Sequence, residues 1–237
     1  MRQIRTFSDQ RFDQVCSYCG ETATETRDHV PSKILLDEPF PENLPVVPCC
    51  TKCNQGFSLD EEYFACSIEC ILRGTSNIEQ LHRKKIKLAL KKRPTLQQRI
   101  KNSFTLQDGR LHFKYEQDRF MNVATKLAKG HAKYEISEPQ FEAPTSIVMK
   151  PLISMTKNEN DNFFASYHLN KLPEVGSRSL QNLLIRGNDT VHSHWTIVQD
   201  NNYKYSVIDD MGLLIVRIVV WDYLAIEVIW DNGKLDN

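Results

Sequence analysis

Four cysteines stand in two pairs of the same spacing, Cys16-x2-Cys19 and Cys50-x2-Cys53. Four thiolates so placed close a tetrahedral zinc site with no open position. The binding free energy of such a site is folding free energy, which suits a module too small to hold itself together. Cys49 competes with Cys50 as ligand, and the x2 spacing selects Cys50. Cys19-Gly20 and Cys53-Asn54 suit tight knuckle turns with positive φ. Between the pairs, Asp28 and His29 are adjacent, and Asn54 follows the last cysteine. A carboxylate, an amide oxygen and phosphate oxygens suit a hard divalent cation such as Mg²⁺ or Mn²⁺. A neutral imidazole beside that ion deprotonates a water, while the ion stabilises charge on the phosphate and the leaving oxygen. These are the parts of a one-metal phosphodiesterase.

As a set, Cys16-x2-Cys19-Gly20, Arg27-Asp28-His29-Val30-Pro31, Asn43-Leu44 and Cys50-x2-Cys53-Asn54 resemble the HNH endonuclease family in its zinc-knuckle form. The resemblance covers residues 16–54 and runs into the helix that follows; it says nothing beyond about residue 75. It implies a ββα-metal fold, with Asp28 as a metal ligand and His29 as the general base. Asn43 would brace the loop between the two strands. Asn54 takes the place of the last letter of the motif, where many members carry a second metal-binding histidine. That departs from the literal pattern, although active nuclease domains of the superfamily use Asp, His and Asn in this arrangement. Each residue also has a plainer reading. Asp28 would cap a turn, His29 would be an ordinary buried histidine, Asn54 only a knuckle residue, and Arg27 is read as exposed.

The elements that must position these residues are partly legible. Ser58 or Asp60 is expected to cap a helix running to Arg73 and ended by Gly74. A second helix is expected over 77–92, stopped by Pro94. Asp108-Gly109 marks a hairpin between 104–107 and 110–115, and an amphipathic helix follows over 117–134. The stretch 157–162 reads as a loop and 177–185 as a short helix. Strands are expected near 192–199, 203–208, 212–220 and 223–230. The expected fold class is α+β: over 1–75 the small zinc-stabilised ββα-metal module that the resemblance implies, then a mixed helical and antiparallel-strand region over 76–237.

Charge separates along the same line. Residues 1–75 carry 7 basic and 12 acidic side chains, 76–135 carry 15 and 5, and 136–237 carry 8 and 13. The zero net charge is thus −5, +10 and −5 in sequence. Within the basic segment, Arg83, Lys84, Lys87, Lys91, Lys92 and Arg93 are the candidate phosphate-binding residues, for DNA first and RNA second. A solvated charged face is the alternative. All seven cysteines fall between Cys16 and Cys70, an odd and clustered count that argues against a disulfide framework. The polar start and the absence of a long apolar run argue against a membrane or classically secreted protein, and a cytoplasmic location is expected. Cys66 and Cys70 are read as packing residues, and His192-Ser193-His194 as surface or core.

The leading expectation is a metal-dependent endonuclease acting on DNA. A second is a non-catalytic zinc module that binds nucleic acid or a protein. A third is an inhibited nuclease, released by a regulatory partner or ligand at the C-terminal strands.

Overall fold

The structure is a computed structural model and describes residues 12–22, 26–186, 191–192 and 195–231. Two short strands, β1 (Thr26–His29) and β2 (Val46–Cys49), pair antiparallel with Asp28 opposite Val47 and His29 opposite Val46. The chain then enters α1 (Thr51–Arg73), whose end is the left-handed Gly74 with φ 63°. Next come α2 (Lys84–Lys92), α3 (Pro94–Asn102), the hairpin β3 (Phe104–Gln107) and β4 (Arg110–Phe113), and α4 (Gln117–Ile136). The remainder is β5 (Ser146–Pro151), α5 (Lys157–Phe164), β6 (Tyr167–His168), α6 (Arg178–Arg186), β7 (Val191–His192), β8 (Thr196–Gln199), β9 (Tyr203–Asp210), β10 (Leu213–Val220) and β11 (Leu224–Asp231). The molecule is α+β, with six α-helices and antiparallel sheets among the described residues.

The largest sheet runs β5-β11-β10-β9-β8, antiparallel throughout. Period-2 burial explains its two faces. Leu214, Val216, Ile218 and Val220 of β10 join the main core, as do Tyr203, Tyr205 and Val207 of β9 and Ile226, Val228 and Trp230 of β11. Alternate residues, among them Ile215, Val219 and Ala225, turn to smaller clusters on the other face, one of which includes Phe163 of α5. The main core also takes Tyr63, Phe64, Cys66, Ile68 and Cys70 from α1 and Val123, Ala124, Leu127 and Ala128 from α4. Residues on both sides of position 75 therefore share one core.

Several elements differ from expectation. α1 begins at Thr51, well before Ser58, because Cys50 is its N-cap: the Cys50 sulfur accepts from the Cys53 amide at 3.4 Å. The second cysteine pair thus lies on the first helical turn and not in a positive-φ knuckle; Gly20, at φ 80°, does follow that rule. The single helix over 77–92 is a 3₁₀ turn (Ile78–Gln80) followed by α2. Pro94 ends α2 and also opens α3, since a missing N–H costs nothing at a first helical position. The stretch 157–162 belongs to α5, not a loop, because Thr156 and Glu159 form a capping box that its polar composition concealed. β5 adds a fifth strand at the sheet edge, paired antiparallel with β11.

Candidate metal centre and His29 cleft

The two cysteine pairs meet where the β1–β2 hairpin adjoins α1. The sulfurs of Cys16, Cys19, Cys50 and Cys53 lie within 4.8 Å of one another. The Cys19 and Cys50 sulfurs are 3.8 Å apart. Thiolates about 2.3 Å from a tetrahedral zinc are separated by about 3.8 Å, so the cluster fits a metal ion such as zinc. Burial works against the Cys16 thiolate, but backbone amides of Cys50, Tyr18 and Cys19 donate to it and bring its pKa down to about 7. Cys49 is outside the cluster; it is buried and its thiol donates to the Cys50 carbonyl at 3.3 Å. Cys66 and Cys70 are fully buried in the core, and burial pushes the Cys70 thiol up to about 12.

Below this cluster, at the other end of β1, an open cleft of about 260 Å³ is lined by Asp28, His29, Ser32, Lys33, Ile34, Ser58, Glu61 and Glu62. Asp28 and His29, the last two residues of β1, both line it. His29 is half-buried. Burial lowers its pKa, helped by the nearby charges of Lys33 and Lys126 and opposed by Asp28, so the imidazole is neutral at neutral pH.

Asp28 is engaged from within the protein. Tyr18 donates to its Oδ2 at 2.6 Å, and the Lys126 ammonium lies 2.7 Å from the same oxygen. Lys126 also donates to Ser32 Oγ at 2.9 Å and to Glu61, and Ser32 donates to Glu61. α4 comes this close because of Gly130: a Cβ there would stand 2.6 Å from a Val30 methyl.

Asn54 lies on the same helix ridge as Ser58 and Glu61, but nearer the cysteines. Its amide donates to the Thr26 hydroxyl at 3.2 Å, and it does not line the cleft. Asn43 is exposed and lines a separate cavity of about 750 Å³ with Tyr134, Glu135, Arg178 and Trp195. Arg27 is exposed. His194 and the side chain of His192 lie outside the described residues. The donor set expected for Mg²⁺ or Mn²⁺ is thus not brought together in the cleft. Asp28 Oδ2 already holds an ammonium, Asn54 lies outside the cleft with its nitrogen donating to Thr26, and among the described residues no second group of three His, Cys, Asp or Glu side chains converges.

The basic segment is distributed by the fold. Arg83 is mostly internal: its guanidinium donates to Glu69 at 2.7 Å and stacks 3.9 Å over Trp221. Burial opposes the Glu69 carboxylate, yet the amides of His82 and Arg83 and the Arg83 guanidinium hold its pKa below the usual range. Lys91 pairs with Glu79 at 3.3 Å, Lys87 donates to the Glu79 carbonyl, and Arg93 pairs with Glu62 at 2.8 Å. Lys84 and Lys92 are exposed. α2 is braced to both walls of the cleft, through Arg93 to Glu62 and through Lys85, which donates to the Lys33 carbonyl at 2.9 Å.

Tyr18, Ser32, Lys33, Glu61 and Lys126 were missed as site residues. Ser58-x-x-Glu61-Glu62 after the second cysteine pair was a readable signal for one helix face. For Lys126, about 100 residues from Asp28, there was none. No helix among the described residues is long and apolar enough to cross a membrane. The chain matches no family model, no curated protein and no solved structure.

Proposed function

We propose that this protein is an HNH-type endonuclease that hydrolyses phosphodiester bonds of nucleic acid, DNA in the first instance. The observation that carries the reading is the placement of His29. A neutral imidazole ends the first strand of a hairpin packed on a helix, beside a four-cysteine cluster, and lines an open cleft flanked by a basic helix. In this reading zinc, held by Cys16, Cys19, Cys50 and Cys53, ties the segment before the hairpin to the start of α1 and supplies no chemistry. His29 takes a proton from the water that attacks phosphorus. Lys33, exposed at the rim of the cleft, meets the scissile phosphate, and Lys84 and Lys92 hold flanking phosphates. Asp28 and Asn54, the catalytic ion ligands that the resemblance implies, are given no step here because Asp28 Oδ2 holds the Lys126 ammonium and Asn54 does not line the cleft.

Nicking of supercoiled plasmid by the zinc-loaded chain is the direct test, with Mg²⁺, with Mn²⁺ and in buffer freed of both. His29→Ala is expected to lower the rate by about 10²–10⁴-fold while retaining its zinc. Equal rates in wild type and His29→Ala would remove His29 from the mechanism.

A second reading has its own observation. Lys126 neutralises Asp28 from inside, which also suits a non-catalytic zinc module that binds nucleic acid or a protein. It requires salt-sensitive DNA binding and no nicking under any of the three metal conditions.

A further inference from the structure

Lys126 is 2 % exposed, and lysines are almost never buried so deeply unless paired. Its three protons meet three acceptors: Asp28 Oδ2 at 2.7 Å, Ser32 Oγ at 2.9 Å and a Glu61 oxygen. An ammonium has three donors and no acceptor, so the match is complete. Burial works against its charge, but the Glu61 and Asp28 carboxylates outweigh that and hold its pKa above the ordinary lysine value. Asp28 is buried with its Oδ2 shared between Lys126 and the Tyr18 hydroxyl. The cluster leaves one net negative charge, from two carboxylates and one ammonium.

Asp28 and Glu61 are also the carboxylates that a divalent ion in this cleft would use. Mg²⁺ takes carboxylate oxygens at about 2.0–2.1 Å and keeps near-octahedral geometry. On Asp28 it would share the carboxylate with an ammonium and stand only a few ångströms from it. Because Lys126 and Asp28 are themselves buried, that repulsion is only partly screened. The backbone of α4 is held close to this end of the hairpin at Gly130, one turn along, where a Cβ would stand 2.6 Å from a Val30 methyl.

We propose that Lys126 is the resident cation of the His29 cleft, holding Asp28 and Glu61 in the place a divalent ion would take, so that the folded chain binds no Mg²⁺ or Mn²⁺ there. The proposal rests on the reading of this cleft as the functional site and concerns only which cation it contains. Asp28 is then a positioning residue that ties the end of β1 to α4, and whatever chemistry His29 performs proceeds without a divalent ion on Asp28.

The test is Mn²⁺ binding to the full, zinc-loaded chain, followed by electron paramagnetic resonance and calorimetry, for wild type, Asp28→Asn, Lys126→Met and Lys126→Met with Asp28→Asn. Wild type is expected to bind no Mn²⁺ that Asp28→Asn removes. Lys126→Met, which leaves two carboxylates without their cation, is expected to bind one Mn²⁺ at least tenfold more tightly than wild type and to lose it on adding Asp28→Asn. One Mn²⁺ bound by wild type and abolished by Asp28→Asn overturns the proposal. So does a Lys126→Met chain with native zinc content and helicity and no gain in Mn²⁺ affinity. If Lys126→Met folds only when Mn²⁺ is present, and not at matched ionic strength, the proposal stands; if it folds in neither condition, the wild-type comparison with Asp28→Asn decides. Plasmid nicking does not enter these measurements, so failure of the nuclease reading and failure of this one are separable.

Discussion

His131 shows what a single buried titratable residue does to the molecule. It lies on α4, fully buried, with Nε2 2.8 Å from the Tyr203 hydroxyl and its ring stacked on Tyr205 at 3.7 Å. Burial, with the Lys126 charge adding to it, drives its pKa well below the ordinary histidine value. The sign follows from proton counts. Below about 6.5, the unfolded chain binds a proton at this residue that the native chain does not. The stability it contributes is therefore complete above that pH and is lost as pH falls toward the native pKa, at about 1.4 kcal/mol per pH unit. Glu135, buried beside it and accepting from Tyr205 at 2.6 Å, has its pKa raised by burial and titrates with the opposite sign. In urea unfolding between pH 5 and 7, His131→Gln is expected to reduce the pH slope by about one proton; an unchanged slope would refute the assignment. Arg83 makes a second residue-level prediction. Arg83→Ala leaves Glu69, wholly buried, without its nearest cation, and is expected to cost about 3 kcal/mol or more by chemical denaturation. Lys84→Ala is expected to cost almost nothing.

At the scale of elements, the contact between α4 and β1 decides the geometry of the cleft. Glycine inside a helix is normally replaced by alanine with a gain of roughly 1 kcal/mol. Gly130→Ala is expected to reverse that sign, because the added methyl would stand 2.6 Å from Val30 and 3.2 Å from the Tyr18 hydroxyl. A loss of about 1–3 kcal/mol is the usual cost of such overpacking. The same substitution at Gly56, whose Cβ position is open, is expected to be neutral or stabilising. A thermal melt of both variants checks the pair. The hairpin and the start of α1 depend instead on the cysteines. Cys16→Ser or Cys53→Ser is expected to lower zinc from one per chain to none and to lower the melting temperature, since structural zinc sites supply folding free energy directly.

For the whole molecule, the fold rearranges the charge that the sequence lays out in blocks. Acidic side chains from the first and middle segments meet the basic one: Asp37 and Glu69 at Arg83, Glu38 at Lys85, Glu62 at Arg93 and Glu79 at Lys91. The +10 segment is therefore much less positive at its surface than along its sequence. Any DNA affinity then rests on a few exposed lysines. The double change Lys84→Ala and Lys92→Ala is expected to shallow the dependence of log Kd on log salt by roughly one to two, measured by fluorescence anisotropy on duplex DNA, with zinc and stability unchanged. The C-terminal strands also join the N-terminal loop directly. Trp221 donates to the Leu35 carbonyl at 2.9 Å, and Gln199 donates to the Asp37 carbonyl at 2.9 Å.

What the sequence determined by itself was local. Two Cys-x2-Cys pairs specified a four-sulfur cluster, Gly74 ended a helix, Asp108-Gly109 made a hairpin, and alternating apolar residues made β9, β10 and β11. Each depends on spacing or on backbone preference within a few residues, apart from the matching of the two cysteine pairs. The adjacency of Asp28 and His29 was also legible, but their partners were not. Only the tertiary structure decided that Asn54 faces Thr26, that Glu61 enters the cleft, and that an ammonium from α4 is seated on Asp28. The physical reason is that a buried charge takes its partner from whatever element packs closest in space. Here that element is α4, brought against β1 by a glycine at position 130 and far from it in sequence.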